Sequence, residues 1–399
     1  MPQDNDVATD DLISDVVPNN LQHEQFPQKE FKPWHRPRKQ WIRVKQWKQE
    51  TLRLVDAITL TDRPLTYLSL PGDDLLDVRV IYEACERKKV KLRFLGFNNP
   101  TGNSTLMDAE RSLSIAEVVS LPLVDDNSIV VPDRLESIAN NKSVGFKWVR
   151  DYGTFDVINI DLCDSISAPS QRRGGGPSYY NVLLSLLGHQ VSTRTAPWLF
   201  FLTTRCGTGD VHSDDIKKLY ECIKSNVTQS EGFCQIMANL FGLDSFDESS
   251  LTTVQEQTGF PEFMQMFCIG FGKWLLQTMM TGIPPSKVKM LTSYHYRVME
   301  PGDMISVAYR FDPVPRPPVD PVGLASKPII LPAVLQTLET QLAVTIVERT
   351  RGLVDVDTTL ETSPEDMEKM IISTEALLSN ARYPVDKYRG WLSSVDSHE

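Results

Sequence analysis

Apolar residues follow two alternating spacings along most of the chain. LTYLSLPG, VKLRFLGFN, TFDVINIDLCDS and APWLFFLTTR are short, nearly unbroken apolar runs, the pattern of strands covered on both faces. Between them DDLLDVRVIYEACERKK, Asp108 to Leu121, Tyr179 to Val191 and Asp214 to Phe241 carry apolar positions at helical spacing. DNSIVVPDRLES adds a short strand and a further helix start, and Phe260 to Met280 predicts a more deeply buried helix. KVKMLTSYHYRV and DMISVAYRF, joined across Met299, Glu300, Pro301 and Gly302, predict a hairpin. Strands alternating with helices predict an α/β fold whose sheet is mostly parallel and ends in an antiparallel hairpin.

The flanks have a different character. Residues 1–30 are rich in Asp, Asn, Gln and Pro with few apolar positions, and are expected to form a disordered acidic tail. Residues 31–63 begin FKPWHRPRKQWIRVKQWKQE, where His35, Arg36, Arg38, Lys39, Arg43, Lys45 and Lys48 interleave with Trp34, Trp41 and Trp47. Nothing from Pro37 to Arg63 breaks a helix, and Trp41, Val44, Trp47, Leu52, Val55 and Ile58 fall near one face. A basic, tryptophan-rich helical leader of about five to seven turns therefore precedes the sheet domain, residues 64–312. DPVPRPPVDP opens a stiff proline-rich linker, residues 313–326, and residues 327–399 are expected to form a small helical C-terminal module whose second helix starts at SPED, a good N-cap sequence.

The chain is acidic overall, with 41 Lys and Arg against 52 Asp and Glu, a net charge of −11, so it is not coated in basic surface and any phosphate contact must come from local clusters. Six cysteines without CxxC pairs indicate neither a zinc site nor a disulfide framework, and reduced thiols in the cytoplasm are the simplest reading. The N-terminus, with Asp4, Asp6, Asp10 and Asp11, lacks the basic start and apolar core of a secretory signal. Gln265, Gly270, Gly272, Lys273 and Gln277 interrupt the one long apolar stretch, so a buried helix is expected there and no membrane span. No His, Asp and Glu spacing suits a metal, and neither a nucleophile elbow nor a Gly-Lys-Ser/Thr phosphate loop is present.

A strand with a glycine turn, a second strand ending in a polar residue, a strand ending in acids and a terminal hairpin together resemble the class I S-adenosylmethionine-dependent methyltransferase superfamily, from Thr66 to Asp312. The resemblance implies a Rossmann-like sheet, with S-adenosylmethionine at its carboxyl edge and no metal. It also extends to a narrower bacterial family in which this scaffold follows a tryptophan-rich basic leader, in defence or mobile-element settings. The family's cofactor turn falls on Ser69, Leu70, Pro71, Gly72, Asp73 and Asp74, with one glycine where several are usual and with Pro71 removing a backbone donor. Asp73 or Asp77 stands in for the acid that holds the cofactor's amino group. Asn98 and Asn99 stand where an acid usually accepts from the ribose hydroxyls, and an amide can still accept one such bond. Asp161 and Asp164 follow the fourth strand, where the family places catalytic or substrate-gripping groups. The Asn-Pro-Pro-Tyr pattern of base-amino methylation is missing there, which disfavours DNA adenine methylation.

Two further clusters carry chemistry with alternatives left open. QRRGGGPSYYN places Arg172, Arg173 and Tyr179 just after the acidic strand end, suited to an anion and a stacked base, or merely to a flexible lid. In the leader, Arg36, Arg38, Lys39 and Arg43 with Trp34 or Trp41 suit nucleic acid, or else a face packed on the sheet domain or on a protein partner. Three functions follow: a methyltransferase-like protein binding S-adenosylmethionine or a related nucleotide-like ligand, a non-catalytic scaffold docking a partner, or a nucleic-acid-binding subunit.

Overall fold

The computed structural model describes residues 29–99, 105–168, 178–256, 259–282, 284–298, 304–314 and 332–396. The acidic tail up to Gln28, the Arg172 and Arg173 loop, the hairpin turn and most of the proline-rich linker lie outside the described residues.

The apolar runs form the central strands: β1 (Leu65–Ser69), β2 (Leu92–Phe97), β3 (Ile129–Val131), β4 (Val157–Asp161) and β5 (Trp198–Arg205). Every side chain of β1 is buried, as expected of a strand covered on both faces. The hairpin is present, but its first strand is in two pieces, β6 (Ser286–Met290) and β7 (Tyr294–Tyr296), both lying along β8 (Met304–Pro313). Between the pieces the chain steps out at Leu291–Ser293, where the Ser293 hydroxyl takes over the Ala308 amide at 3.3 Å. The described strands order as β3-β2-β1-β4-β5-β8-β7-β9, where β9 (Val354–Asp355) arrives from beyond the linker, and β8 alone runs against the rest. The fold is therefore α/β, a Rossmann-like, mostly parallel sheet with a terminal antiparallel hairpin and helices at both chain ends.

The crossover helices divide between the faces. On one side lie α3 (Leu76–Lys88) and α4 (Thr105–Val119), joined by the leader. On the other lie α5 (Val144–Tyr152), α6 (Tyr179–Thr193), α7 (Ser213–Gln229), α8 (Glu231–Phe241), α9 (Glu248–Glu256) and α10 (Phe260–Met280). The single helix expected over Asp214 to Phe241 breaks at Ser230, whose hydroxyl caps α8 by accepting from the Phe233 amide at 3.2 Å. Gln277 and Lys273, which argued against a span, make contacts inside the helical layer, to the Cys222 carbonyl and Glu339. No helix among the described residues is long and apolar enough to cross a membrane.

The leader is helical from Pro37 to Ala57, in three parts: α1 (Pro37–Trp41), a π-helical stretch (Ile42–Lys48) and α2 (Gln49–Ala57). Its buried face differs from the regular stripe expected. Trp41 and Ile42, then Gln46 and Trp47, then Glu50 and Thr51, then Leu54 turn inward, while Val44, Val55 and Ile58 are only partly buried. The first step spans five residues rather than four, which is the wider turn of a π-helix. That widening keeps Arg43, Gln46 and Trp47 together over the sheet.

Beyond the linker, α11 (Pro332–Arg351) packs on α10, while α12 (Val356–Thr362) and α13 (Pro364–Ser379) pack on the leader's side. Arg38 bonds Asp357 at 3.0 Å, and Gln40 donates to Ser373 at 3.0 Å. The C-terminal helices thus extend the two helical layers. Phe31 and His35 of the leader join Tyr383, Tyr388 and Trp391 in an aromatic cluster, with α14 (Tyr388–Asp396) closing it.

Candidate functional site at the carboxyl edge

Neighbouring strands β1 and β4 send their following helices to opposite faces, α3 to the leader side and α6 to the other. Where that happens in a doubly wound sheet a crevice opens at the strands' carboxyl ends. The turn after β1 stands at that edge: Ser69 and Pro71 are buried, and Gly72 and Asp73 are exposed. Asn98, at the end of β2, donates its amide to the Pro71 carbonyl at 3.1 Å and to Asp73 at 3.2 Å, and Asn99 beside it is half-buried. Asp74 is gripped from both chain ends, by the Lys29 ammonium at 2.5 Å and the Tyr383 hydroxyl at 2.6 Å. Leu75 then enters α3 at φ 52, a left-handed conformation that costs a branched side chain energy and tends to occur where surrounding structure enforces it.

Gly96 is what lets the turn sit so close to β2. A Cβ there would stand 2.7 Å from Pro71 Cγ and 3.3 Å from Val130 Cγ2. Gly96→Ala is expected to push the turn outward and cost about 1–3 kcal/mol in a denaturant titration, whereas Gly72→Ala, with no atom within 4 Å of its Cβ, is expected to be nearly neutral. Equal stabilities would show that the turn is not seated on β2.

The end of β4 stands at the same edge, and the leader lies against it. The Lys39 ammonium is 2.5 Å from Asp161 Oδ1 and 3.4 Å from the Tyr296 hydroxyl, and it stands over the Trp47 ring at 4.8 Å. Burial pulls the Lys39 pKa down, and the Asp161 charge opposes that pull. Arg43 is also buried; its guanidinium bonds the Trp34 carbonyl at 3.0 Å, and burial lowers its pKa against the fields of Asp161 and Asp77. Under the leader the Tyr67 hydroxyl donates to Asp77 at 2.8 Å and accepts from the Asn159 amide at 3.0 Å. Burial raises the pKa of both Tyr67 and Asp77. Further along, Gln46 donates to the Ser306 carbonyl at 2.9 Å and accepts from the Ser306 hydroxyl at 2.7 Å, and the Thr203 and Ser306 hydroxyls lie 3.0 Å apart. A continuous polar layer therefore runs between leader and sheet across the ends of β1, β4, β5 and β8.

The structure brings together Ser69, Leu70, Pro71, Gly72, Asp73 and Asn98 on one side and Asp161 on the other. Asp164 is exposed and caps the next turn by accepting from the Ser165 amide at 2.7 Å. Arg36, Lys39 and Trp41 are buried, and Arg38 bonds Asp357 and the Arg297 carbonyl, so the leader directs much of its basic chemistry inward. Tyr179 is half-buried at the start of α6, its pKa pushed up to about 12 by burial. Arg172 and Arg173 fall outside the described residues. Sequence reasoning did not single out Tyr67, Asn159 or Tyr296. For Tyr67 and Asn159 a signal was present in LTYLS and VINID, where polar groups fall inside strands expected to be covered on both faces and so need buried partners.

Among the described residues no group of three or more His, Cys, Asp and Glu is placed to hold a metal. None of the curated proteins matches this sequence. A family model described as PP_RS20740-like matches residues 28–393, taking in leader, sheet and C-terminal helices, and the chain belongs to that PP_RS20740-like family.

Proposed function

We propose that this is a methyltransferase-like protein that takes S-adenosylmethionine, or a related nucleotide-like ligand, in the crevice between the Ser69–Asp74 turn and the end of β4. The observation that carries the reading is the strand arrangement: β1 lies between β2 and β4, one reversed strand follows β5, and polar side chains gather at the carboxyl ends of β1, β2 and β4. The groups present suit such a ligand. Asp73 offers an exposed carboxylate for an amino group, Gly72 leaves open space, and Asn98 and Asn99 supply amides where ribose hydroxyls would lie. The cofactor would supply an electrophilic methyl group. Asp161 and Asp164 would orient or deprotonate the acceptor. Cytoplasmic residence belongs to the same proposal and is supported by six unpaired cysteines.

A second reading, a non-catalytic scaffold for a protein partner, is favoured by one observation: Lys39 stands on Asp161, at the end of the crevice where an acceptor would react. Trp34 and Ile372, exposed on the leader and α13, would belong to the docking face. The nucleic-acid reading gains no such support, because Lys39 and Arg43 are buried and Arg38 is bonded to Asp357.

Calorimetric titration with S-adenosylmethionine and its demethylated product, beside Gly72→Trp, separates the two readings. The expected result is micromolar binding that Gly72→Trp abolishes without unfolding the chain. An absence of heat at millimolar ligand would discard the cofactor site and leave the scaffold.

A further inference from the structure

The leader's contact with Asp161 has the chemistry of recognition. The Lys39 ammonium meets a carboxylate at 2.5 Å, the Tyr296 hydroxyl at 3.4 Å and the face of the Trp47 ring, 4.8 Å from its centroid. An acid combined with an aromatic face binds alkyl cations, and it favours weakly hydrated ones, since burying an ammonium forfeits more water than burying a sulfonium or a methylated amine. The two partners differ in exposure: the Lys39 side chain is 5% exposed and Asp161 26%, so the carboxylate keeps a side open to the crevice, next to exposed Cys163 and Asp164. Asn159 Oδ1, two residues earlier on the same face of β4, is buried without a hydrogen-bond partner among the described residues.

We infer that the space bounded by Asp161, Trp47 and Tyr296 is a recognition site for an alkyl cation, and that Lys39 is its tethered occupant, displaced when an alkylammonium or sulfonium ligand enters from the crevice. The ligand class agrees with the cofactor reading above, but the inference rests on that reading only for the sulfonium case. A ligand competing with a tethered lysine binds more weakly than it would to the emptied site, by the fraction of time that the lysine is away.

The test uses the full chain and its Lys39→Ala variant, titrated calorimetrically with butyltrimethylammonium, with 1-butanol as the uncharged control, and with S-adenosylmethionine. The expected result is at least a tenfold gain in affinity for the quaternary ammonium in Lys39→Ala, no gain for the alcohol, and loss of the gain when Asp161→Asn is added. If the alanine variant does not fold, Lys39→Met removes the charge while keeping most of the bulk, and a gain in the same direction is expected. Equal binding of the cation by wild type and variant, or equal gains for cation and alcohol, would overturn the inference. Tight S-adenosylmethionine binding that ignores the Lys39 substitution, with no gain for the quaternary ammonium, would overturn it too, while leaving the cofactor site standing. Binding of the quaternary ammonium by Lys39→Ala with no binding of S-adenosylmethionine would support it and remove the cofactor reading.

Discussion

Asp156→Ala is expected to destabilise the protein by about 3–5 kcal/mol, the cost of leaving a buried charge without its partner. Asp156 is fully buried immediately before β4, at the opposite edge of the sheet from the crevice. It accepts from Arg194 at 2.6 Å, from both terminal nitrogens of Arg63 at 2.6 and 2.9 Å, and from the Thr66 amide and hydroxyl at 2.8 and 2.9 Å. It thereby ties the entry to β1, the entry to β4 and the end of α6 at one point. Arg194 is 6% exposed, so most of the loss falls on that residue; Arg63 is more exposed and finds water. Asp156→Asn, which keeps an acceptor for the Thr66 amide but no charge, is expected to recover part of the loss. Urea titrations of both variants check this, and a cost below about 1 kcal/mol for the alanine variant would mean that Arg194 is solvated in solution.

The same carboxylate predicts a pH dependence. Burial alone would raise its pKa, but the Arg63 hydrogen bond, the Arg194 and Arg63 charges and the Thr66 amide outweigh burial and hold it below its ordinary 3.8. A depressed folded pKa contributes stability that is complete above the unfolded value and is lost as pH falls through the folded one. The wild type is therefore expected to lose stability below about pH 4 more steeply than Asp156→Asn does.

How much of this was readable beforehand differs by element. The buried strands and the helix Phe260–Met280 were legible because their apolar runs leave few alternatives. The hairpin was legible too, but its break at Leu291–Ser293 was not, because β6 and β7 together still read as one alternating stretch; the Ser293 side chain decides the break through a tertiary contact with Ala308. The leader shows the clearest limit. A 3.6-residue spacing predicts a regular stripe through Trp41, Val44, Trp47 and Val55; the two tryptophans are buried as expected, whereas a π turn brings Arg43 and Gln46 inward in place of Val44, and only their surroundings, Asp161, Asp77 and Ser306, explain why polar residues take the buried face. The acids after β4 could be assigned to the crevice from topology alone, but a sequence cannot reveal that a lysine more than a hundred positions earlier stands on one of them.

That lysine makes the two acids unequal, and stability measurements should show it before any ligand is known. Asp161→Asn is expected to cost about 3 kcal/mol or more, because Lys39 would be left buried without its counter-charge, whereas Asp164→Asn, on an exposed side chain, should stay within about 0.5 kcal/mol. The deficit of Asp161→Asn should shrink as pH rises. Burial already holds the Lys39 pKa below 10.5, and removing Asp161 takes away the charge that opposed that pull. The unfolded chain then binds a proton that the folded one releases, so stability climbs with pH up to the unfolded lysine value. Combining Asp161→Asn with Lys39→Met should restore most of the lost stability, since two neutral side chains replace a broken pair, and a double-mutant cycle gives the coupling directly. If Asp161→Asn and Asp164→Asn cost the same, Lys39 does not rest on Asp161 in solution, and the crevice end is open to ligand without any displacement of the leader.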